Sequence, residues 1–356
     1  MAPPAKDYNN LAESLQDQFN SVPVTAENHD AKRALADAMD RVMGLPGERL
    51  LAQAGLLPPP PPAALDHGAV APKDKKEEEE EPFALFDNAC GAGLITGLLQ
   101  KKASPAVLRE SRIVCADLNA NFIDIVKWRA ETDRWMGTVE TMVADAQDTG
   151  LPANSFSHVV INFAMHIIPK PEVALRGWCR STFVFLSLPL FPLTLPPSTE
   201  AYRLLRPNGT LAFTVWAHDN TGWIPDMHSA FAALPFAATA PLMPDHVPMA
   251  VHGLDQWIDP AGIRAELTHS SLSFEDVRIE KLEHTSRVDN AEYFVEKFDM
   301  MRKWLMQSYW SEESRQAAAE LGGGMDEIMT THLLKKHGRN GWDIRWKSIL
   351  VTCRKP

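Results

Sequence analysis

Between residues 83 and 217 the chain alternates short apolar runs with segments of helical period. FALFD (83–87) reads as a strand, followed by the small-residue turn NACGAG (88–93) and the helical LITGLLQKK (94–102). SRIVCADLN (111–119) is a second strand ending in an acid, with the helix NFIDIVKWRAET (121–132) behind it. TVETMVADAQD (138–148), SHVVINFAMHII (157–168) and TLAFTVWA (210–217) make the third to fifth strands. The fifth is announced by the turn Arg206-Pro207-Asn208-Gly209. Short apolar strands alternating with helices predict βαβ units and a parallel sheet covered on both faces. Further on, 259–272 predicts a helix, while 274–282 and 343–355 predict two more strands. Residues 285–340 read mostly as helix. The expected fold class is α/β: a Rossmann-like, doubly wound, mostly parallel seven-stranded sheet.

Residues 8–57 also read as helical, with Leu11, Leu15 and Phe19 at four-residue steps and Ala34, Ala38 and Val42 likewise. Five prolines (Pro58 to Pro62) and the charged run KDKKEEEEEP (73–82) follow. Such composition cannot bury enough apolar surface to offset ordering entropy, so 58–81 is expected to be a flexible linker. An acidic interaction tail is the other reading of the glutamate run. The domains expected are therefore 1–57, the linker 58–81, and a main domain over 82–356.

Composition narrows the function. The net charge of −11, from 35 basic and 46 acidic residues in 356, argues against a nucleic-acid footprint. The four cysteines form no CxxC pair, which argues against a disulfide framework or a cysteine-built zinc site. The start MAPPAKDYNNLAESL has no basic n-region followed by an apolar h-region, and no apolar run reaches about 18 residues. A cytoplasmic protein without stable membrane insertion is expected; the oligomeric state is left open.

Candidate chemistry clusters at the strand ends. Asp87-x-Ala89-Cys90-Gly91-Ala92-Gly93 puts an acid at the end of the first strand and two glycines in the turn that opens a helix. Glycines let backbone approach a ligand, and the helix N-terminus offers unpaired N–H groups. Alone, this turn fits a ligand cradle or a tight structural turn equally well. The dinucleotide fingerprint GxGxxG is not met, because Thr96 stands in its last position, which disfavours an NAD-dependent reductase. Asp117 ends the second strand, where a carboxylate can accept both ribose hydroxyls. Asp145-Ala146 follows the third strand, placed for an adenine amino group, and Asn162 to His166 follow the fourth. Three acids in register with three strand ends are hard to read as solvated loop ends.

These segments resemble the ordered motifs of class I S-adenosylmethionine-dependent methyltransferases: FDNACGAG, ADLN, ADAQDTGLP with NSFSHVVINFAMH, and LLRPNGTLAFTVW. Within that class the chain is similar to fungal small-molecule, secondary-metabolite enzymes related to the ubiquinone/menaquinone C-methyltransferase group. The DNACG form of the first motif and the closing WKSILVTCRK carry the narrower match. The resemblance implies S-adenosylmethionine as cofactor and a small-molecule acceptor. It implies that Asp87, Gly91 and Gly93 frame the methionine moiety, Asp117 the ribose, and Asp145 with Ala146 the adenine, with Ala89, Leu118 and Asn162 also among the cofactor-binding residues. It also implies an N-terminal helical lid over 1–57, and 285–340 as a helical acceptor-side insertion. Ala89 departs from the family's usual first glycine, and His158 from an aspartate. A quinone-directed C-methyltransferase and a non-catalytic cofactor-binding regulator are the alternatives.

On the acceptor side His166 is the candidate general base, with a pKa near operating pH, or else a packing histidine. Trp216, His218 and Trp223 could line the acceptor pocket or belong to the core. No metal cluster has recognisable spacing.

Residues 177–199 (GWCRSTFVFLSLPLFPLTLPPST) interrupt an amphipathic helix. Joining Arg176 to Glu200 puts Ala174, Ala201, Leu204 and Leu205 on one face. The insert holds four prolines and one charge, so it cannot continue the helix. Its Phe, Leu, Ser and Pro codons are pyrimidine-rich, and the 23 codons read as a retained intron. The rival is a genuine apolar lid or membrane-touching loop.

Overall fold

Seven strands form one sheet in the order β3-β2-β1-β4-β5-β7-β6, parallel except where β7 pairs antiparallel with β5 and β6. The computed structural model describes residues 11, 14, 15, 17–19, 28–59, 81–175, 200–237, 242–244, 246–268 and 274–356. The first two βα units are β1 (Ala84–Asn88), α2 (Leu94–Lys102) and α3 (Pro105–Glu110), then β2 (Arg112–Asp117) and α4 (Ala120–Thr132). There follow β3 (Thr138–Val143), β4 (Phe156–Asn162), α5 (Pro171–Leu175), α6 (Glu200–Leu204) and β5 (Leu205–Trp216). After α7 (Ile224–Ala232) and α8 (Pro260–Thr268) come β6 (Glu275–Val288) and β7 (Trp342–Arg354). Between those two strands lie α9 (Ala291–Lys297), α10 (Asp299–Tyr309), α11 (Glu312–Leu321) and α12 (Gly324–His337). Helix α1 (His29–Gln53) precedes the sheet.

The central strands are apolar throughout because both faces are covered. Successive residues divide between two cores: Phe86, Val114, Val159 and Phe213 pack with Ala174, Leu204 and Ile263, whereas Leu85, Ile113, Val160 and Ala212 pack with Leu50, Ile95 and Leu99. A third apolar cluster joins the late helices through Phe294, Trp304 and Leu333 to Leu11 and Leu15. Capping is local: Asn28 accepts from Ala31 N, Asn119 from Asn121 N and Asn290 from Tyr293 N.

Several boundaries differ from the sequence expectation. Strand β6 runs to Val288, so 285–288 is strand and the helical insertion begins at Ala291. There Ser286 pairs with Ile344 and Val288 with Trp342, while inward and outward residues alternate. The signal is hidden because the inward His284 and Ser286 are polar; each has a partner, Val42 O and Trp346 Nε1 respectively. Strands β3 and β4 stop at Val143 and Asn162, leaving 144–148 and 163–168 as the loops that face the site. His158 lies within β4, and burial pushes its pKa down to about 4. Leu11, Leu15 and Phe19 are helical, as is 29–53. Most of the expected linker (60–80) and all of the 177–199 insert lie outside the described residues. Flanking that insert, Ala174, Ala201, Leu204 and Leu205 are all fully buried.

Candidate active site

The carboxyl ends of β1, β2, β3, β4 and β5 open on one cavity of about 760 Å³. Open α/β sheets bind ligands at that edge. The roof comes from α1 (Met39, Val42), from Leu15 and Phe19, and from α10 (Met301, Trp304). Two halves of different chemistry share this space.

The first half lies over β1 to β3. Gly91 (φ 52°) lines it, and a Cβ there would stand 3.0 Å from Met39 Cε, so the turn is closed against α1 by lack of a side chain. Its N–H donates to Asp117 Oδ2 at 2.8 Å, while Asn119 N donates to Oδ1 at 2.9 Å. Burial pushes the Asp117 pKa up, against these backbone N–H bonds, which pull it down. Beside it Leu118 is 53% exposed on the cavity wall. Asp145 and Ala146 also line the wall; Gln147 donates to Asp145 Oδ1 from its backbone at 2.8 Å and from its side chain at 3.1 Å. Asn119 Nδ2 donates to Phe19 O at 2.8 Å, tying the roof to the end of β2.

Asp87 and Gly93, expected to frame a ligand, stand behind the cavity wall. Neither lines the cavity. Asp87 is fully buried and its Oδ2 accepts from Thr96 Oγ1 (2.8 Å) and Thr96 N (3.3 Å), so it holds the start of α2. Burial raises its pKa to about 7, opposed by the Thr96 bonds. Gly93 (φ 77°) caps α2, and a Cβ there would stand 3.0 Å from Val126 Cγ2, so its smallness serves packing onto α4. Ala89, which does line the cavity, takes φ 54°, a left-handed conformation that suits glycine better.

The second half lies over β4 and β5. Asn162 lines its border with the first half, its Oδ1 accepting from Thr214 Oγ1 at 2.7 Å. Phe163, Trp216, Trp346 and Phe298 form a ladder of rings with centroid separations of 4.1, 5.0 and 6.5 Å. Trp223 lines the same half, whereas His218 stays outside it and packs on His246. His166 reaches the wall almost fully buried, with Nδ1 unpartnered among the described residues. Desolvation, helped by His252, pushes its pKa down to about 3, not the value near 7 expected of a general base. Asn220 and loop 247–251 carried no sequence signal; with Phe163 and Trp346 they sit on four separate segments and meet only in the fold.

Among the described residues no group of three or more His, Cys, Asp or Glu could hold a metal ion, and no helix is long and apolar enough to cross a membrane.

Known proteins agree with this architecture. Residues 86–182 match the family described as a methyltransferase domain. Methyltransferase tpcH of Aspergillus fumigatus is 27% identical over 276 residues, covering 77% of this chain and 86% of the relative. The acetylaranotin bis-thiomethyltransferase of Aspergillus terreus is 21% identical over 276 residues, 77% of this chain and 83% of the relative. The ubiquinone/menaquinone biosynthesis C-methyltransferase UbiE of Coxiella burnetii is 31% identical over 85 residues, 24% of this chain and 34% of the relative. With the sheet order and the strand-edge cavity, these matches show that the chain carries a class I S-adenosylmethionine-dependent methyltransferase domain.

Proposed function

We propose that the enzyme transfers a methyl group from S-adenosylmethionine to a small, largely apolar organic molecule, a secondary metabolite, with the cofactor over β1–β3 and the acceptor over β4–β5. The observation that carries this reading is Asp117: a carboxylate on the cavity wall, held by backbone N–H groups and not by a cation, with the apolar Leu118 exposed beside it. That pairing suits a ribose hydroxyl pair joined to a planar base.

Asp117 would accept from the ribose, Leu118 would face the adenine, and Asp145 with Ala146 would meet the adenine edge. Ala89, Gly91 and Asn162 would lie along the methionine moiety, with Asp87 and Gly93 supporting that turn from behind. Asp17, Asp117 and Asp145 against the single Lys297 give the described wall a negative balance, which favours a cationic ligand. Bound S-adenosylmethionine supplies an electrophilic methyl group whose departure leaves a neutral thioether.

The chain's own residues then orient the acceptor and exclude water. The roof residues Phe19 and Trp304 close over the cavity, and the aromatic ladder offers rings to a planar molecule. The relative named for acetylaranotin supports a secondary metabolite as acceptor. The free, buried thiols of Cys90, Cys115 and Cys353 suit a reducing cytoplasm.

Calorimetric titration of S-adenosylhomocysteine into the full chain tests the reading: one-to-one binding at micromolar affinity is expected. A folded sample that binds none would sink it.

A further inference from the structure

The acceptor half of the cavity is walled by aromatic and methionine side chains, and two buried polar groups interrupt that wall. One is His166, which lines the cavity and whose Nδ1 is enclosed without a partner among the described residues. The other is Asn220, on the loop after β5 and almost fully buried. Asn220 Oδ1 is committed, accepting from Lys347 N at 2.8 Å. Among the described residues its amide Nδ2 has only the sulfur of Met249, at 3.6 Å. A thioether is a weak acceptor, so this donor is close to unsatisfied in a place where water is scarce.

The two groups are built around the same loop. Val251 N donates to His166 O at 3.1 Å, and Met249, two residues earlier, meets Asn220. His252 pins the loop further: its Nε2 donates to Met165 O at 3.1 Å, and its Nδ1 accepts from Leu254 N at 3.0 Å. Both ring nitrogens of His252 are therefore used. Among the nearly buried polar side chains of the acceptor half, those left over are one amide donor and one imidazole.

We propose that Asn220 and His166 read two oxygen atoms on a planar aromatic acceptor, with the aromatic ladder from Phe163 to Phe298 flanking its rings. Asn220 is the specificity-determining donor, and an acceptor carrying one oxygen leaves one of the two groups buried without a partner. Sites built to hydrogen-bond a substrate group discriminate strongly against analogues lacking it. The inference rests on the division of the cavity into cofactor and acceptor halves proposed above.

The test uses the full chain saturated with S-adenosylhomocysteine, reading quenching of cavity tryptophans by 2-naphthol and by the 1,8-, 2,3- and 2,6-dihydroxynaphthalenes. At least one dihydroxynaphthalene should bind about tenfold more tightly than 2-naphthol. Asn220→Leu, which offers a phenol neither donor nor acceptor, should erase that preference with S-adenosylhomocysteine affinity unchanged. His166→Phe, which keeps a ring without nitrogens, should erase it as well. Equal binding of all four probes, an Asn220→Leu enzyme that keeps the preference, or no binding by any probe would overturn the proposal. Loss of S-adenosylhomocysteine binding by the wild-type chain would instead overturn the cofactor reading beneath it.

Discussion

The backbone N–H of Gly91 donates to Asp117 Oδ2 across 2.8 Å, joining the turn after β1 to the end of β2. One carboxylate thus shapes the glycine turn and presents lone pairs to the cavity. Asp117→Ala should weaken S-adenosylhomocysteine binding by about 1–3 kcal/mol, since it removes an acceptor and releases the turn. Asp117→Asn, which keeps one carbonyl oxygen, should lose less. Calorimetry on both variants checks this, and an unchanged affinity in Asp117→Ala would remove the ribose assignment.

Ala89 holds φ 54° in the same turn. A left-handed conformation costs a non-glycine residue roughly 1–2 kcal/mol, and glycine's extra freedom in the unfolded chain costs about 0.5–1 kcal/mol. Ala89→Gly should therefore stabilise the protein slightly, by about 0.5 kcal/mol on that balance. The urea midpoint should rise with an unchanged slope. A lower midpoint would mean that Ala89 is unstrained there.

Asp87 gives a pH signature with a defined sign. Its pKa rises from 3.8 to about 7 on folding, so the stability it contributes is full below pH 4 and is lost as pH rises through 7. Asp87→Asn removes that titration while keeping an oxygen for Thr96. The variant should gain on the wild type by about 2–3 kcal/mol between pH 5 and pH 8, in denaturant melts without cofactor. A difference that stays constant with pH would show that Asp87 is ionised throughout.

The sheet was legible because parallel strands buried on both faces read as continuous apolar runs, and 83–87, 111–119 and 157–162 are such runs. Register with three strand ends likewise brought out Asp117 and Asp145, which the fold places on one wall. An acid at a strand end can point either way, and Asp87 faces Thr96 within the core. The end of β6 was illegible because its inward positions include His284 and Ser286, which no hydrophobic pattern marks. Asn220 and loop 247–251 belong to irregular backbone, where side-chain direction follows no period and only tertiary contacts decide what faces the cavity.

Helices α5 and α6 bury Ala174, Leu175, Ala201 and Leu204 in a single apolar cluster. A chain lacking 177–199 would carry them on one continuous helix, with Arg176 joined to Glu200. Removing a 23-residue closure should stabilise the fold by roughly 2–3 kcal/mol and leave S-adenosylhomocysteine affinity unchanged. Chemical denaturation and calorimetry of that variant beside the full chain make the comparison. A variant that fails to fold would mean that the insert belongs to the native enzyme. Uninterrupted coverage of codons 177–199 in mature transcripts would separately refute the retained intron.

His166 sets the expected pH dependence of turnover. Burial lowers its pKa to about 3, so the imidazole is neutral across the whole range in which the enzyme would be assayed. Below the ordinary value of 6.5 a solvent-exposed histidine base would gain a proton and the rate would fall tenfold per pH unit. For this enzyme, log kcat at saturating acceptor should show no such imidazole limb between pH 5 and 7. His166→Gln should lower kcat without introducing one. A break of unit slope near pH 6.5 that disappears in His166→Gln would show instead that the ring titrates in the working enzyme and acts as a general base.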